Sequence, residues 1–311
     1  MALLIVNLDK FIGNAQAWRD PFAAQMPGLE VRIWPDNSDP KDIEYLAFMR
    51  PDFDILPAFP NLKAMFTRGA GVEQFVNHPN LPKAPMTKLE SLTGDPMMTE
   101  YVIMHVLRLH RELPTYHERQ KRKEWYIGPV ARPEDRRIGF LGYGMMAKAP
   151  AQFLKQLEFP VSTWTKTPKA DDGIRHFHGD DQLEPFLRQT DIAVCLLPLT
   201  AETEGIFNAR NLAMMPKGSM VVNIGRGGHV VQDDLIAALD SGHIAHASLD
   251  ALKPEPLPAD NPLWSHPKVT IMPHVARRPT VKHLTTQIVA NIKSLQAGKG
   301  LLQPIDKQAG Y

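Results

Sequence analysis

The sequence predicts an α/β chain of two domains, each built on a parallel sheet. Three observations carry that expectation. From residue 138 to about residue 272, short apolar runs rich in Val, Ile and Leu alternate with turns and stretches of helical spacing, the pattern of a parallel sheet covered by helices on both faces. A separate set of short apolar runs lies before residue 70. The chain has 311 residues, more than one hydrophobic core usually serves, because cores stop growing near ~250–300 residues.

Residues 3–7, 54–56 and 64–66 read as strands of the smaller N-terminal unit. Pro96 suits a first helical position, and residues 97–121 carry Tyr101, Val102, His105, Val106 and Leu109 at helical spacing, so one long helix is expected to open the second domain. Six strands follow, at 138–141, 161–164, 191–197, 220–224, 246–250 and 269–272. Between the fourth and fifth, residues 232–239 form a helix with Leu235, Ile236 and Leu239 on one face and Asp233 and Asp234 near its positive end. A last helical pattern, 281–297, closes at Gly298, and the chain is expected to return there to the first domain. The expected domains are 1–94 with 283–311, and 95–282.

Lys plus Arg number 35 against 34 Asp plus Glu, so no broad basic field exists to attract nucleic acid or an anionic membrane. The run Arg119, Lys121, Arg122, Lys123 reads as a solvated helix end. Cys195, the single cysteine, lies in an apolar run. It excludes an intrachain disulfide and points to a buried thiol in a reducing compartment. Residues 2–6 are too short for a signal-peptide core, and no apolar run approaches ~18 residues; the expectation is a cytoplasmic, soluble protein.

Gly142-x-Gly144-x-x-Ala147 follows a predicted strand and opens a helix. In that context Gly142 permits a tight turn, Gly144 lets backbone approach a pyrophosphate, and Ala147 allows close helix–sheet packing, while the free N–H groups at Met145 and Met146 face the anion. The domain is therefore expected to be a Rossmann-like dinucleotide binder. An acid that would grip the ribose diol is expected about 20 residues on, yet the second strand ends Trp164-Thr165-Lys166-Thr167. The Thr165 hydroxyl and the Lys166 cation, helped by Lys169, favour a 2′-phosphate, and so NADP(H) over NAD(H).

Reducing a 2-keto acid needs a cation for the carboxylate, a proton donor for the developing alkoxide, and a group that keeps the donor charged. Arg226 follows the fourth strand between Gly225 and Gly227-Gly228, at a carboxyl end of the sheet, where open α/β sheets bind ligands. Its planar fork suits a carboxylate. His274, one of twelve histidines, stands just beyond the sixth strand; its position rather than its type singles it out. Glu255 follows the fifth strand between two prolines, and against His274 it would orient the ring as a proton donor. The His176-Phe177-His178 spacing invites a metal reading, but its surroundings read as a loop and helix start, and no metal is assigned.

Gly142-x-Gly144-x-x-Ala147, the Leu197-Pro198-Leu199-Thr200 turn, Asn223-Ile224-Gly225-Arg226-Gly227, Leu249-Asp250 through Glu255-Pro256, and Pro273-His274 together resemble the D-isomer-specific 2-hydroxyacid dehydrogenases, in order and in spacing. The likeness extends over nearly the whole chain and is closest to the glyoxylate/hydroxypyruvate reductase A branch. It implies a doubly wound cofactor domain inserted in a smaller flavodoxin-like substrate domain, with Arg226, Glu255 and His274 as the catalytic set. It also implies cofactor contacts at Leu197, Pro198, Ile224 and Asp250, the last as the carboxamide-binding aspartate, and a homodimer formed through the cofactor domain. Arg68-Gly69-Ala70-Gly71-Val72 matches the loop whose backbone N–H groups hold the substrate carboxylate, with Ala70 and Gly71 as candidates. By its own residues that loop reads equally as a turn into a helix. Arg277 and Arg278 leave two readings, a second carboxylate on a larger substrate or ion pairs at the rim, of which the rim is preferred. A rival to the enzyme is a non-enzymatic sensor of nicotinamide cofactors on the same fold; the three catalytic residue types favour the enzyme.

Overall fold

The computed structural model describes residues 1–8, 13–36, 38–49, 51–68, 75, 77–89, 94–170 and 173–305. The chain divides into two units, Met1–Leu92 with Pro279–Tyr311, and Thr93–Arg278.

In the first unit the opening apolar run forms β1 (Ala2–Val6), buried at every residue. It is the second strand of a parallel sheet with β2 (Glu30–Ile33), β3 (Ile43–Phe48), β4 (Ala64–Thr67) and β5 (Met86–Lys88), in the order β2-β1-β3-β4-β5. That order is the flavodoxin-like one. Helix α1 (Ala15–Gln25), capped by the Asn14 side chain, buries Trp18 and Phe22 on one face of the sheet. Much later in the chain, α8 (Val281–Gln296) places Leu284, Ile288 and Ile292 in the same core. Three such side chains stabilise by roughly 1.5–3 kcal/mol each, enough to anchor the returning chain. The helix stops where Gly298 takes a φ of 70°, the conformation of a glycine past a helix end.

The second unit holds β6 (Ile138–Leu141), β7 (Val161–Thr165), β8 (Arg175–His178), β9 (Ile192–Cys195), β10 (Ser219–Asn223), β11 (Ile244–Leu249) and β12 (Val269–Ile271). They pair in parallel in the order β12-β11-β10-β9-β6-β7-β8. The chain builds outward from β6 to β8, then returns to place β9 on the other side of β6. Ligands bind at such a reversal, outside the carboxyl ends of the strands. One face is covered by α2 (Pro96–His110) and α4 (Met145–Gln156), whose Val102, Val106, Ala147 and Leu154 pack with Ile138, Phe140 and Val194. The other is covered by α5 (Leu183–Leu187), α6 (Ala209–Met214) and α7 (Gln232–Asp240), through Phe186, Leu212 and Leu235. Cys195 is free and fully buried in β9, where burial pushes its thiol up to about 12.

Four expectations about elements need correction. The single helix at 97–121 is two, α2 and α3 (Leu113–Lys121), broken at Glu112, whose φ is 54°. Pro114 explains the break, because in a continuous helix its ring would meet the carbonyl of His110. Residues 54–56 form a turn, with the Asp52 carboxylate accepting the Asp54 N–H at 3.0 Å and Ile55 62% exposed; such local bonds compete with a strand ladder. The sheet of the first unit contains β2 and β3 instead, where acids obscured the strand pattern: Glu44 is ion-paired with Lys63, and Glu30 with Arg32 at 2.8 Å. A seventh strand, β8, occupies the edge of the second sheet, and its His176 Nδ1 lies 2.7 Å from Thr163 Oγ1 on β7. Among the described residues no helix is long and apolar enough to cross a membrane.

Candidate active site

Three adjacent strands, β10, β11 and β12, end side by side at one edge of the second sheet, and each is followed by one expected site residue. Parallel pairing makes this unavoidable: Asn223 pairs with Leu249 and Leu249 with Ile271, so the three exits stand level. Arg226, Glu255 and His274 therefore emerge from neighbouring loops.

His274 and Glu255 meet directly. His274 Nδ1 is 2.9 Å from Glu255 Oε2 and 3.1 Å from Oε1. The carboxylate is itself held, since Oε1 accepts the Leu252 N–H at 3.0 Å. An ionised carboxylate only accepts, so the shared proton sits on Nδ1. His274 is partly exposed, at 44% for its side chain. Its backbone takes a φ of 54°, a left-handed conformation that L residues adopt only when their surroundings hold them. Here the His274 N–H donates to the carbonyls of Asp250 at 2.9 Å and of Met272 at 3.0 Å.

Asp250 is buried at the end of β11 and gathers the β12 exit around its carboxylate. Oδ1 accepts the Val275 N–H at 2.9 Å and the Tyr101 hydroxyl at 2.7 Å; Oδ2 accepts the Ala276 N–H at 3.3 Å.

Arg226 is joined to the histidine pair through backbone. Asn223, wholly buried in β10, donates from Nδ2 to the Arg226 carbonyl at 2.9 Å and towards the Ala251 carbonyl at 3.3 Å, tying the β10 and β11 loops together. Gly227 lies so close to the β11 loop that a Cβ there would overlap the Leu252 carbonyl. Buried His229 accepts the Arg226 N–H on Nδ1 at 3.0 Å, and its Nε2 lies 3.3 Å from the Pro198 carbonyl. The guanidinium bonds the Gly225 carbonyl from Nη1 at 2.8 Å. Asn223 could have been read from the sequence as an amide inside an apolar strand. His229 and Tyr101 gave no such signal, because their partners are distant in the chain.

At the switch point, Gly142 has a φ of 97°, and a Cβ on it would approach the Leu196 carbonyl to 3.1 Å, so two separate constraints demand glycine. Among the described residues, and its chain neighbours aside, a Cβ at Gly144 would meet no protein atom within 4 Å. Protein packing therefore does not require glycine there, whereas a pyrophosphate seated on the start of α4 would. Met145 and Met146 open that helix, and Ala147 packs beneath it, 1% exposed. Leu197 and Ile224 are buried beside the same strand ends, with Pro198 exposed. These residues fit a dinucleotide.

At the end of β7 the Thr165 hydroxyl donates its one proton to the Thr167 carbonyl at 2.7 Å and is 6% exposed. Lys166 Nζ pairs with Glu202 Oε1 at 2.5 Å, both side chains well exposed. The cation expected for a 2′-phosphate thus has an acidic neighbour from the loop after β9, which residue spacing along the chain did not suggest. Arg277 also departs from expectation. Its side chain is 10% exposed and pairs with buried Asp95, the N-cap of α2, rather than standing at a solvated rim. Arg278 is exposed. Ala70 and Gly71 lie outside the described residues.

The sequence pattern of the family described as D-isomer specific 2-hydroxyacid dehydrogenase, NAD binding domain, matches residues 103–276. Among solved structures, the chain is similar to a D-isomer specific 2-hydroxyacid dehydrogenase from Xanthobacter autotrophicus Py2 in complex with NADPH and MES, with 37% identity and a TM-score of 0.93 over 100% of this chain and 99% of that one. It is also similar to an NADPH-dependent glyoxylate/hydroxypyruvate reductase from Sinorhizobium meliloti in complex with NADP and sulfate, with 32% identity and a TM-score of 0.90 over 100% of both chains. A probable 2-hydroxyacid dehydrogenase from Rhizobium etli CFN 42, in complex with NADP, HEPES and L(+)-tartaric acid, shares 28% identity at a TM-score of 0.89, over 100% of this chain and 99% of that one.

Gly227→Ala tests the contact between the Arg226 and Glu255 loops. A methyl group forced against backbone is expected to cost roughly 1–3 kcal/mol and to lower turnover by displacing both loops. Urea denaturation and steady-state rates at the level of the parent chain would show that the contact has slack.

Proposed function

Since this chain belongs to the D-isomer specific 2-hydroxyacid dehydrogenase family and is an NAD(P)-dependent enzyme of that class, we propose that it reduces small 2-keto acids, such as glyoxylate and hydroxypyruvate, to D-2-hydroxy acids with NADPH preferred over NADH. The observation that carries the reading is the hydrogen-bonded pair of His274 and Glu255, on loops adjoining that of Arg226 at the carboxyl ends of neighbouring strands. The similarity to the Sinorhizobium meliloti glyoxylate/hydroxypyruvate reductase supports the substrate class.

Gly142, Gly144 and the N–H groups at Met145 and Met146 would hold the pyrophosphate, and Leu197, Pro198, Ile224 and Asp250 the nicotinamide end. When bound, the nicotinamide supplies the hydride that reduces the keto carbon. Arg226 binds the substrate carboxylate and draws electron density from the adjacent carbonyl oxygen. His274, with Nδ1 committed to Glu255, delivers a proton from Nε2 to that oxygen as negative charge develops. Glu255 balances the imidazolium before transfer and keeps the ring aimed.

Turnover of glyoxylate, hydroxypyruvate and pyruvate with each cofactor checks the substrate class, and His274→Ala checks the mechanism. Loss of a general acid is expected to slow kcat by about 10²–10⁴-fold. A wild type inactive on all three acids, or an undiminished His274→Ala, defeats the reading.

Cofactor preference is proposed to rest on Lys166. An exposed pair such as Lys166 with Glu202 is weak, and a 2′-phosphate carrying nearly two charges would displace the carboxylate. Lys166→Ala is expected to reduce kcat/KM with NADPH about tenfold and to leave NADH nearly unaffected, since a charge-assisted bond is lost with one cofactor only. Glu202→Gln should raise kcat/KM with NADPH roughly twofold to fivefold. Equal responses to both cofactors would remove Lys166 from the assignment.

The enzyme is further proposed to be a homodimer formed through its dinucleotide-binding unit. Trp125, Ile127 and Val130, after α3, are 96%, 84% and 68% exposed, an apolar stretch that a second copy would cover. Light scattering coupled to gel filtration should return twice the 34.9 kDa chain mass; a monomer across micromolar concentrations contradicts it.

A further inference from the structure

We propose that Tyr101 is a positioning residue for the dehydrogenase reaction: its hydroxyl fixes the buried Asp250 carboxylate, from which the His274 segment is hung, and leaves Oδ2 turned towards one further N–H donor. Tyr101 sits in the second turn of α2, in none of the motifs that mark the site. It reaches Asp250 Oδ1 at 2.7 Å in a buried contact. The two residues are 8% and 4% exposed, so water does not compete for the bond.

The donor count gives the bond its consequence. An ionised carboxylate has about four lone-pair sites. Among the described residues, Oδ1 of Asp250 is filled by Tyr101 and the Val275 N–H, while Oδ2 takes only the longer bond from the Ala276 N–H. One acceptor site remains, on Oδ2. A carboxamide N–H, the group a nicotinamide presents, is the donor class that matches it. The two backbone donors belong to the residues directly after His274, whose left-handed backbone is held by its own N–H on the Asp250 carbonyl.

Of the three donors, Tyr101 alone comes from another element of the fold, the helix α2, and it shares Oδ1 with the Val275 N–H. Without it, the carboxylate is free to turn towards the two backbone N–H groups. The free site on Oδ2 and the backbone of His274 then lose their common reference. Burial and the neighbouring Asp250 charge push the Tyr101 phenol above its ordinary value, so the hydroxyl stays protonated and available as a donor.

The inference rests on the proposed role of His274, and the test separates the two. Tyr101→Phe and Asp250→Asn, singly and combined in the full chain, are compared for NADPH Kd by fluorescence titration and for kcat and KM with glyoxylate. Tyr101→Phe is expected to weaken NADPH binding severalfold and to lower kcat about tenfold, with KM for glyoxylate within twofold of wild type. On the Asp250→Asn background it should add nothing, because the partner it acts through has changed. Losses that multiply in the double variant, or a Tyr101→Phe protein with wild-type kcat and NADPH Kd, overturn the proposal. So does a Tyr101→Phe protein that fails to fold, since the hydroxyl would then serve the fold and not the reaction. A wild type without glyoxylate turnover would defeat the substrate reading, while NADPH Kd would still report on Tyr101.

Discussion

The buried negative charge of the Asp250 carboxylate organises the end of the sheet where the chemistry lies. An ionised carboxylate inside a protein costs several kcal/mol unless its oxygens are bonded, and here backbone N–H groups of the β12 exit and a phenol from α2 meet that need. Satisfying the charge therefore also bends the chain after β12. The left-handed turn at His274, held by its N–H on the Asp250 and Met272 carbonyls, directly precedes those donors, and there the imidazole stands against Glu255.

The parallel sheet supplies the second constraint. Because β10, β11 and β12 run in one direction and in adjacent positions, their following loops crowd together at one end. Such crowding needs small or deeply engaged residues. Gly227 lets two loops touch, Asn223 bonds both, and buried His229 ties the Arg226 loop to the Pro198 turn. None of these side chains acts on a substrate in the mechanism proposed, yet each limits where Arg226 can stand. The same logic holds at the switch point, where Gly142 allows the β6 and β9 exits to pass each other.

Charge placement away from the sheet edge is less constrained. Lys166 and Glu202 are exposed and their pairing is open to exchange with solvent or a phosphate. Arg277 and Asp95 are the contrast. Their pair is almost wholly buried, and it caps α2 while fixing the chain beyond Ala276. Two arginine–carboxylate or lysine–carboxylate pairs in one unit thus serve different ends, according to how much water reaches them.

The sequence by itself determined the two-domain α/β class, the strand-turn-helix around Gly142 and the strand exits bearing Arg226, Glu255 and His274. Apolar periodicity and glycine placement are local signals, and those features depend on local geometry and on burial of both sheet faces. Local signals conflict in three places: the acids in β2 and β3 conceal strands, a compact run at 54–56 imitates one, and Pro114 divides a helical pattern that is continuous in apolar spacing. Only the tertiary structure decided that Asp250 meets Tyr101, that Lys166 faces Glu202 and that Arg277 is buried on Asp95. Those partners lie far apart in the chain, and hydrogen bonds and ion pairs act over a few ångströms of space, whatever the number of residues between them.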